Sequence, residues 1–232
     1  MKSRWIDLFN EIAEDRKHIY LHQMSGWKDI EDELIWEKYV ADVIQNYVKK
    51  DSLVFEAGCG CGGFLVSIKK LYPGVKIAGI DAAESSIKRI QTEIVSQEES
   101  PCFRTGILPF DLAQENSETY DIVLANSVFQ YIQSKDDAQK TVQEMIRITK
   151  RKGIVILADI CDEEFRAINE EKMRQLWSGY GEPEGYPCHA YYKKDWWNQF
   201  QEGKNTLSIR HVTVEEYWRR KYRYVVYIQK PA

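Results

Sequence analysis

The feature that most constrains this chain is an alternation of short apolar runs with amphipathic helical segments. SLVFEA, VKIAGID, YDIVLAN and GIVILAD are the runs; GGFLVSIKKLY, ESSIKRIQTEIVSQ and a segment holding DDAQKTVQEMIRITK lie between them. Strands that alternate with helices pair in parallel, because each helix carries the chain back to the starting edge, and the helices then cover both faces of the sheet. The pattern predicts an α/β fold with a doubly wound, mostly parallel sheet.

The flanks read differently. Residues 1 to about 17 form a helix with Trp5, Leu8, Phe9 and Ile12 on one stripe, followed by a polar-aromatic connector, HIYLHQMSGWKD. Asp29 reads as the N-cap of a second helix with Leu34, Ile35, Val40, Val43, Ile44 and Tyr47 at helical spacing. After Asp159 the alternation loosens: residues 162 to 178 look helical, SGYGEPEGYPCHAYY reads as a loop or lid, and KKDWWNQFQEG reads as a short helix. NTLSIRHV and YRYVVYIQK close the chain as strands. With 232 residues and no repeat or linker, one domain is expected over 1–232. Within it, 1–49 is a helical cover, 50–160 the core, 161–203 a lid or substrate segment and 204–232 the closing strands.

A net charge of -4 and a pI near 5.7 argue against a nucleic-acid surface, which needs clustered Lys and Arg. MKSRWIDLFNEIAEDRK lacks the apolar core of a secretory signal, and no run approaches the length of a membrane span. The five cysteines are odd in number and follow no disulfide framework, so a cytoplasmic protein with reduced thiols is expected. Cys59 and Cys61 form no zinc or cluster-binding pattern; no metal is expected, and they read as small residues tolerated in a tight loop.

That loop follows the first strand: VFEAGCGCGGF carries glycines at 58, 60, 62 and 63. At the mouth of a parallel sheet, glycines admit a ligand or a helix to the backbone, and the next helix N-terminus offers free N–H groups. Gly58, Gly60 and Gly63 satisfy GxGxxG, the dinucleotide fingerprint, which also wants an acid about twenty residues on for the ribose. Asp81, ending the second strand, meets that requirement. The loop alone therefore fits a nicotinamide enzyme or another adenosine ligand. Glu56 bears on the choice: a carboxylate at the strand's end repels a pyrophosphate and suits a positive group such as an amino-acid ammonium. Plainer roles stand beside these, with Glu56 or Asp81 serving only to cap the helix that follows.

FEAGCGCGGF, GIDAAESSI, YDIVLANSVFQYI and EMIRITKRKGIVILAD, in this order and spacing over about residues 28 to 160, resemble the successive motifs of class I S-adenosylmethionine-dependent methyltransferases. The resemblance implies a Rossmann-like sheet of seven strands with an antiparallel last strand. It assigns Glu56 and the backbone of Gly58 and Gly60 to the cofactor's methionine part, Asp81 to the ribose hydroxyls and Ala82 to the adenine. Asn126 and Ser127 would line the pocket beside the sulfonium. Relatives often carry an acid before an LPF-like turn to hold the adenine amine. This chain has RTGILPF, which shifts that contact to the backbone at Gly106 and Ile107.

The implied reaction is in-line attack of a nucleophile on the sulfonium methyl, leaving S-adenosylhomocysteine, so the protein's task is positioning and exclusion of water. A phenol or alcohol needs a general base and an ionised carboxylate or phosphate does not. His189 is the candidate base, and Tyr131 is placed to wall the substrate side. The helical cover and the 162–200 segment favour a small-molecule acceptor, methylated at O or N: a metabolite, or a saccharide or secondary-metabolite precursor. The acceptor is expected to be aromatic if the loop tyrosines touch it, and anionic if Lys193, Lys194, Arg219, Arg220 or Arg223 face the pocket. A catalytically silent cofactor-binding partner subunit and a nicotinamide-dependent oxidoreductase are the alternatives.

Overall fold

The strands assemble into one seven-stranded sheet in the order β3-β2-β1-β4-β5-β7-β6. A computed structural model describes residues 4–15, 20–25, 27, 30–45, 47–176, 178–182 and 185–232. β1 (Leu53–Ala57) lies between β2 (Lys76–Asp81) and β4 (Tyr120–Asn126), and β3 (Phe103–Thr105) forms the edge beyond β2, all in parallel. β5 (Thr149–Cys161) extends the parallel set, and β7 (Arg223–Gln229) inserts antiparallel between β5 and β6 (Thr206–Arg210). The antiparallel closing strand expected from the resemblance is therefore present.

The continuous apolar runs are explained by burial on both faces. Val54, Ile77, Ile122, Leu124 and Ile156 turn toward α2 (Glu33–Ile44) and α3 (Gly63–Leu71). Their neighbours Phe55, Ala78, Val123, Val155 and Leu157 turn toward α5 (Lys135–Ile148). A strand buried on both sides has no polar face to alternate with. β1 and β4 are the first strands of the two directions of winding, so the crevice at their carboxyl ends is the switch point where ligands of open α/β sheets bind.

The cap of α2 is Asp32, whose carboxylate accepts from Leu34 N at 2.9 Å; Asp29 lies outside the described residues. The helix after β2 runs as α4 (Glu84–Arg89) and then relaxes into one π-type turn over Ile90–Ile94. KKDWWNQFQEG is a 3₁₀ helix over Lys194–Lys204 and not an α-helix. Three residues per turn stack Trp197 over Phe200, and both are buried in the core. α1 (Arg4–Glu14) lies on α4: Ser85 N donates to Asn10 Oδ1 at 2.9 Å and Arg89 Nη1 to the Ala13 carbonyl at 2.6 Å. α6 (Arg166–Leu176) follows β5. Among the described residues, no helix is long and apolar enough to cross a membrane.

Candidate active site

The loop after β1 turns on left-handed glycines, with φ of 81° at Gly58, 51° at Gly60 and 80° at Gly62. The amides of Gly58 and Cys59 both donate to the Ile80 carbonyl, at 2.7 and 3.0 Å, which folds the loop against β2. Asp81 locks this arrangement: one oxygen accepts from Gly60 N and the other from Ala83 N, each at 2.8 Å. The glycines answer to different demands. A Cβ on Gly58 would stand 2.5 Å from Val128 Cγ2, and one on Gly63 would stand 3.0 Å from the His22 backbone. Packing inside the protein therefore requires these two.

A cavity of about 430 Å³ opens at the switch point. Glu56, Gly58, Gly60 and Asp81 form its floor, and Ala82, Gly106 and Ile107 lie at one end. Asn126, Ser127 and Tyr131 line the opposite side, so ten of the eleven residues singled out from the sequence share one cavity. Trp27, Trp36, Phe64 and the α1 residues Trp5, Ile6 and Phe9 complete an apolar wall.

Glu56 is the electrostatic centre. It is 2% exposed, and its Oε2 has no hydrogen-bond partner. Burial first, and then the nearby Asp81 carboxylate, push its pKa well above the ordinary value. Burial also raises the Asp81 pKa, against the backbone amides of Ala83, Gly60 and Ala82, which favour the charged form. A buried carboxylate without a donor is costly, and a cation delivered by a ligand relieves it.

At the Ala82 end, where the adenine contact is expected at the backbone of Gly106 and Ile107, both amides are engaged: Gly106 N donates to the Asp81 carbonyl at 2.9 Å and Ile107 N to Asp111 Oδ2 at 2.7 Å. The Ile107 carbonyl already accepts from Asp111 N at 3.0 Å, so a ligand's donors would meet the Gly106 carbonyl or the second lone pair of Ile107. On the other side, Asn126 Oδ1 accepts from Tyr39 Oη at 2.6 Å. Ser127, at φ 61°, donates to Asp159 Oδ2 at 2.6 Å and accepts from Gln130 Nε2 at 2.8 Å. Tyr131 packs against Trp5 at 4.9 Å and Phe9 at 5.3 Å between ring centroids, and burial pushes its phenol up to about 12.

His189 is the exception. It does not line the cavity but is buried one ring behind it, with its centroid 5.4 Å from both Trp5 and Tyr131. Burial, Arg223 and Arg219 hold its pKa well below the ordinary value, and the ring has no direct access to the cavity. The Gly/Pro-rich stretch around it suggests a surface loop, yet α1 covers this part of it. The residues that sequence reasoning missed, Tyr39, Asp159 and Trp27, come from elements distant in sequence. Only the apolar spacing of α2 hinted that Tyr39 faces inward. Burial pushes the Cys59 and Cys61 thiols up, and among the described residues no His, Cys, Asp and Glu side chains group to hold a metal.

A doubly wound seven-stranded sheet with a buried, unpaired acid at β1 and a second acid at the end of β2 thus frames a cavity at the switch point. A family described as "Methyltransferase domain" matches residues 55–155. Malonyl-(acyl-carrier protein) O-methyltransferase 2 of Ilyobacter polytropus is 26% identical over 124 residues, covering 52% of this chain and 46% of the relative. The ribosomal protein L11 methyltransferase of Thermosipho melanesiensis is 28% identical over 149 residues, covering 61% and 52%. The chain thus spans about half the length of these curated relatives. Among solved structures, a chain from the complex of the Haloferax volcanii Trm112 methyltransferase activator with a methyltransferase superposes with a TM-score of 0.68 at 15% identity, covering 97% of this chain and 98% of that one. Geranyl diphosphate C-methyltransferase from Streptomyces coelicolor A3(2), holding Mg²⁺, geranyl diphosphate and S-adenosyl-L-homocysteine, gives 0.62 at 11% identity, covering 95% and 87%. At these identities the superpositions show the shared fold. The matched family model covers residues 55–155, and the superpositions show that the chain shares the fold of class I S-adenosylmethionine-dependent methyltransferases.

Proposed function

We propose that this protein transfers a methyl group from S-adenosylmethionine to O or N of a small-molecule acceptor, a metabolite or a saccharide or secondary-metabolite precursor. The observation that carries the reading is Glu56, a buried carboxylate with an empty acceptor at the floor of the cavity. Glu56 would hold the ammonium of the methionine part, with Gly58 and Gly60 offering backbone room. Asp81 would meet the ribose hydroxyls through the lone pairs that Gly60 and Ala83 leave, Ala82 would face the adenine, and the Gly106 and Ile107 carbonyls would take its amine. The bound cofactor supplies an activated methyl.

The chain's own work is to orient the acceptor and keep water out. Ser127 gives its proton to Asp159, so toward the cavity its oxygen only accepts, and a donor on the acceptor molecule would be oriented there. Tyr131, Trp27 and Phe9 provide flat apolar surface suited to an aromatic or apolar acceptor. His189 would act behind Tyr131 as a positioning residue and not as the base. The segments 1–49 and 161–203 would serve as cover and lid of one domain.

Calorimetric titration with S-adenosylmethionine, S-adenosylhomocysteine and NADH, on the wild type and Glu56→Ala, tests the cofactor. Micromolar binding of both sulfur ligands, weakened in the variant, is expected. NADH binding without a response to the sulfur ligands would overturn the reading. Transfer of labelled methyl from the donor into a small-molecule library then separates an enzyme from a silent binding subunit.

A further inference from the structure

The charged groups that line the cavity all have one sign. Glu56, Asp81 and Asp137 line it, and among the described residues no Lys, Arg or His does. Lys193, Lys194, Arg219, Arg220 and Arg223, the cations that would have favoured an anionic acceptor, are all absent from the lining. Arg219 rests against Trp27, with its guanidinium 5.0 Å from the ring centroid, and Arg223 is paired with Asp159 at 3.7 Å. The rest of the wall is flat and apolar, built from Trp5, Phe9, Trp27 and Tyr131. A carboxylate or phosphate entering such a lining would lose its hydration, meet like charge and find no cation to compensate it.

The lining is equally poor in bases. His189 lies behind it, and Tyr131 keeps its proton, with burial pushing its phenol up to about 12. Burial keeps the Cys59 thiol protonated in the same way. A carboxylate is too weak a base to take the proton of an alcohol or phenol at neutral pH. An arylamine or amino-heterocycle needs no base, because it is uncharged at neutral pH and its lone pair is free to attack. Ser127 adds a positive selection. Its proton goes to Asp159 Oδ2 at 2.6 Å and one lone pair takes Gln130 Nε2 at 2.8 Å, which leaves a single lone pair on the oxygen of this half-buried side chain. One N–H of an amine matches it.

We propose that the methyl acceptor is an uncharged amine on a flat aromatic body, an arylamine or amino-heterocycle, held with one N–H on Ser127 Oγ and its ring against Tyr131 and Phe9, while Asp137 turns anions away. This assignment rests on the methyltransferase reading of the cavity and narrows it to methylation at nitrogen. The nitrogen lone pair forms the N–C bond to the methyl as the C–S bond of the sulfonium breaks. Sulfur keeps that electron pair and leaves as S-adenosylhomocysteine, and the nitrogen carries the positive charge until it gives a proton to water. Ser127 and Asp137 are thus specificity-determining residues, one for the N–H and one for the charge.

The test uses the full-length protein and three probes of one shape: p-toluidine, p-cresol and p-toluate. Their affinities are measured by ligand-observed NMR on protein saturated with S-adenosylhomocysteine, and transfer of labelled methyl from S-adenosylmethionine is followed to each in turn. Toluidine is expected to bind at least tenfold tighter than toluate and to be the preferred acceptor, with a transfer rate independent of pH through the neutral range. Ser127→Ala is expected to weaken toluidine at least fivefold, and Asp137→Asn to narrow the toluidine-to-toluate ratio at least threefold. If Ser127→Ala fails to fold, the wild-type probe series and the Asp137 variant still decide. S-adenosylhomocysteine binding without preference for the amine, in affinity or in transfer, would overturn the amine assignment alone, as would faster transfer to the cresol oxygen. Failure of S-adenosylhomocysteine to bind would overturn the methyltransferase reading itself.

Discussion

Glu56→Gln separates a ligand-holding carboxylate from a structural one, because the two roles predict opposite signs for stability and binding. Glu56 is 2% exposed with one oxygen unpartnered, and burial and Asp81 both raise its pKa. The folded chain therefore holds this proton to higher pH than the unfolded chain does. Its contribution to stability is fully present below the ordinary value of 4.5 and is lost as pH rises through the elevated folded value. A neutral amide of the same shape removes the cost of the buried charge. Relief of one unsatisfied buried group is worth about 1–2 kcal/mol. The ligand-free variant should then melt about 2–8 °C higher at alkaline pH, at about 2–4 °C per kcal/mol for a chain of this size.

Binding goes the other way. Losing one partner of a buried charge pair costs about 2–5 kcal/mol, so the affinity for S-adenosylhomocysteine should fall at least about 30-fold. Wild-type affinity should also fall as pH drops through the elevated Glu56 value, and the variant should lose that dependence. Scanning calorimetry of the free protein and isothermal titration across pH give both signs. A variant that melts lower and binds within threefold of wild type would make Glu56 a structural residue and refute the reasoning.

Asp81→Asn keeps the shape of the side chain but removes the charge that the Gly60 and Ala83 amides share; a loss of about 1–2 kcal/mol in urea unfolding is expected, and an unchanged midpoint would count against the loop-locking role. Gly58→Ala meets Val128 at 2.5 Å and a φ of +81°, and should cost about 1–3 kcal/mol. Pairing it with Val128→Ala should recover the clash but not the backbone strain, and full recovery would show that the φ carries no cost. His189 has its pKa lowered by burial, Arg223 and Arg219, so its neutral form contributes stability above the ordinary value of 6.5 that is lost as pH falls through the lower folded value. Its ring nitrogens should show no titration by NMR from pH 8 down to about 6, and a midpoint near the ordinary value would place the ring in contact with water.

What was legible in the sequence is what local chain chemistry decides. β1, β2, β4 and β5 stand out because burial on both faces leaves continuous apolar runs, and Glu56 and Asp81 are legible because each sits at or near the carboxyl end of such a run. β3 was not read from its residues: it is three residues at the sheet edge, and Arg104 and Thr105 are not buried, so it has almost no apolar signature. The helix over Lys194–Lys204 is legible as a short helix, but its 3₁₀ geometry is not, since the pull of Trp197 and Phe200 into the core is tertiary. The same limit applies inside the site. Tyr39 and Asn126 lie 87 residues apart, and Ser127 and Asp159 lie 32 apart, so neither pairing leaves a mark on local pattern.

The pairing of Ser127 with Asp159 shows how the fold positions the substrate side of the cavity. β4 and β5 run in register to Asn126 and Ala158, and the next residue of each is a non-glycine at positive φ, 61° and 58°. Left-handed backbone at such residues costs about 1–3 kcal/mol each and persists where the surroundings over-determine it. Here the surroundings do so: Ser127 N donates to the Ala158 carbonyl at 3.1 Å, Ser127 Oγ donates to Asp159, and Tyr217 and Arg223 hold Asp159 from the β7 side. The end of β4 is thereby bent toward a kink inside β5, where its pairing with β7 shifts register between Leu157 and Ile160. The result commits the Ser127 proton inward and leaves its oxygen as an acceptor on the cavity wall. Released from Asp159, the same hydroxyl would rotate freely and could donate as well as accept. Strain at the carboxyl edge of the sheet therefore fixes the polarity of the site, and Asp159, which lines no part of the cavity, sets it.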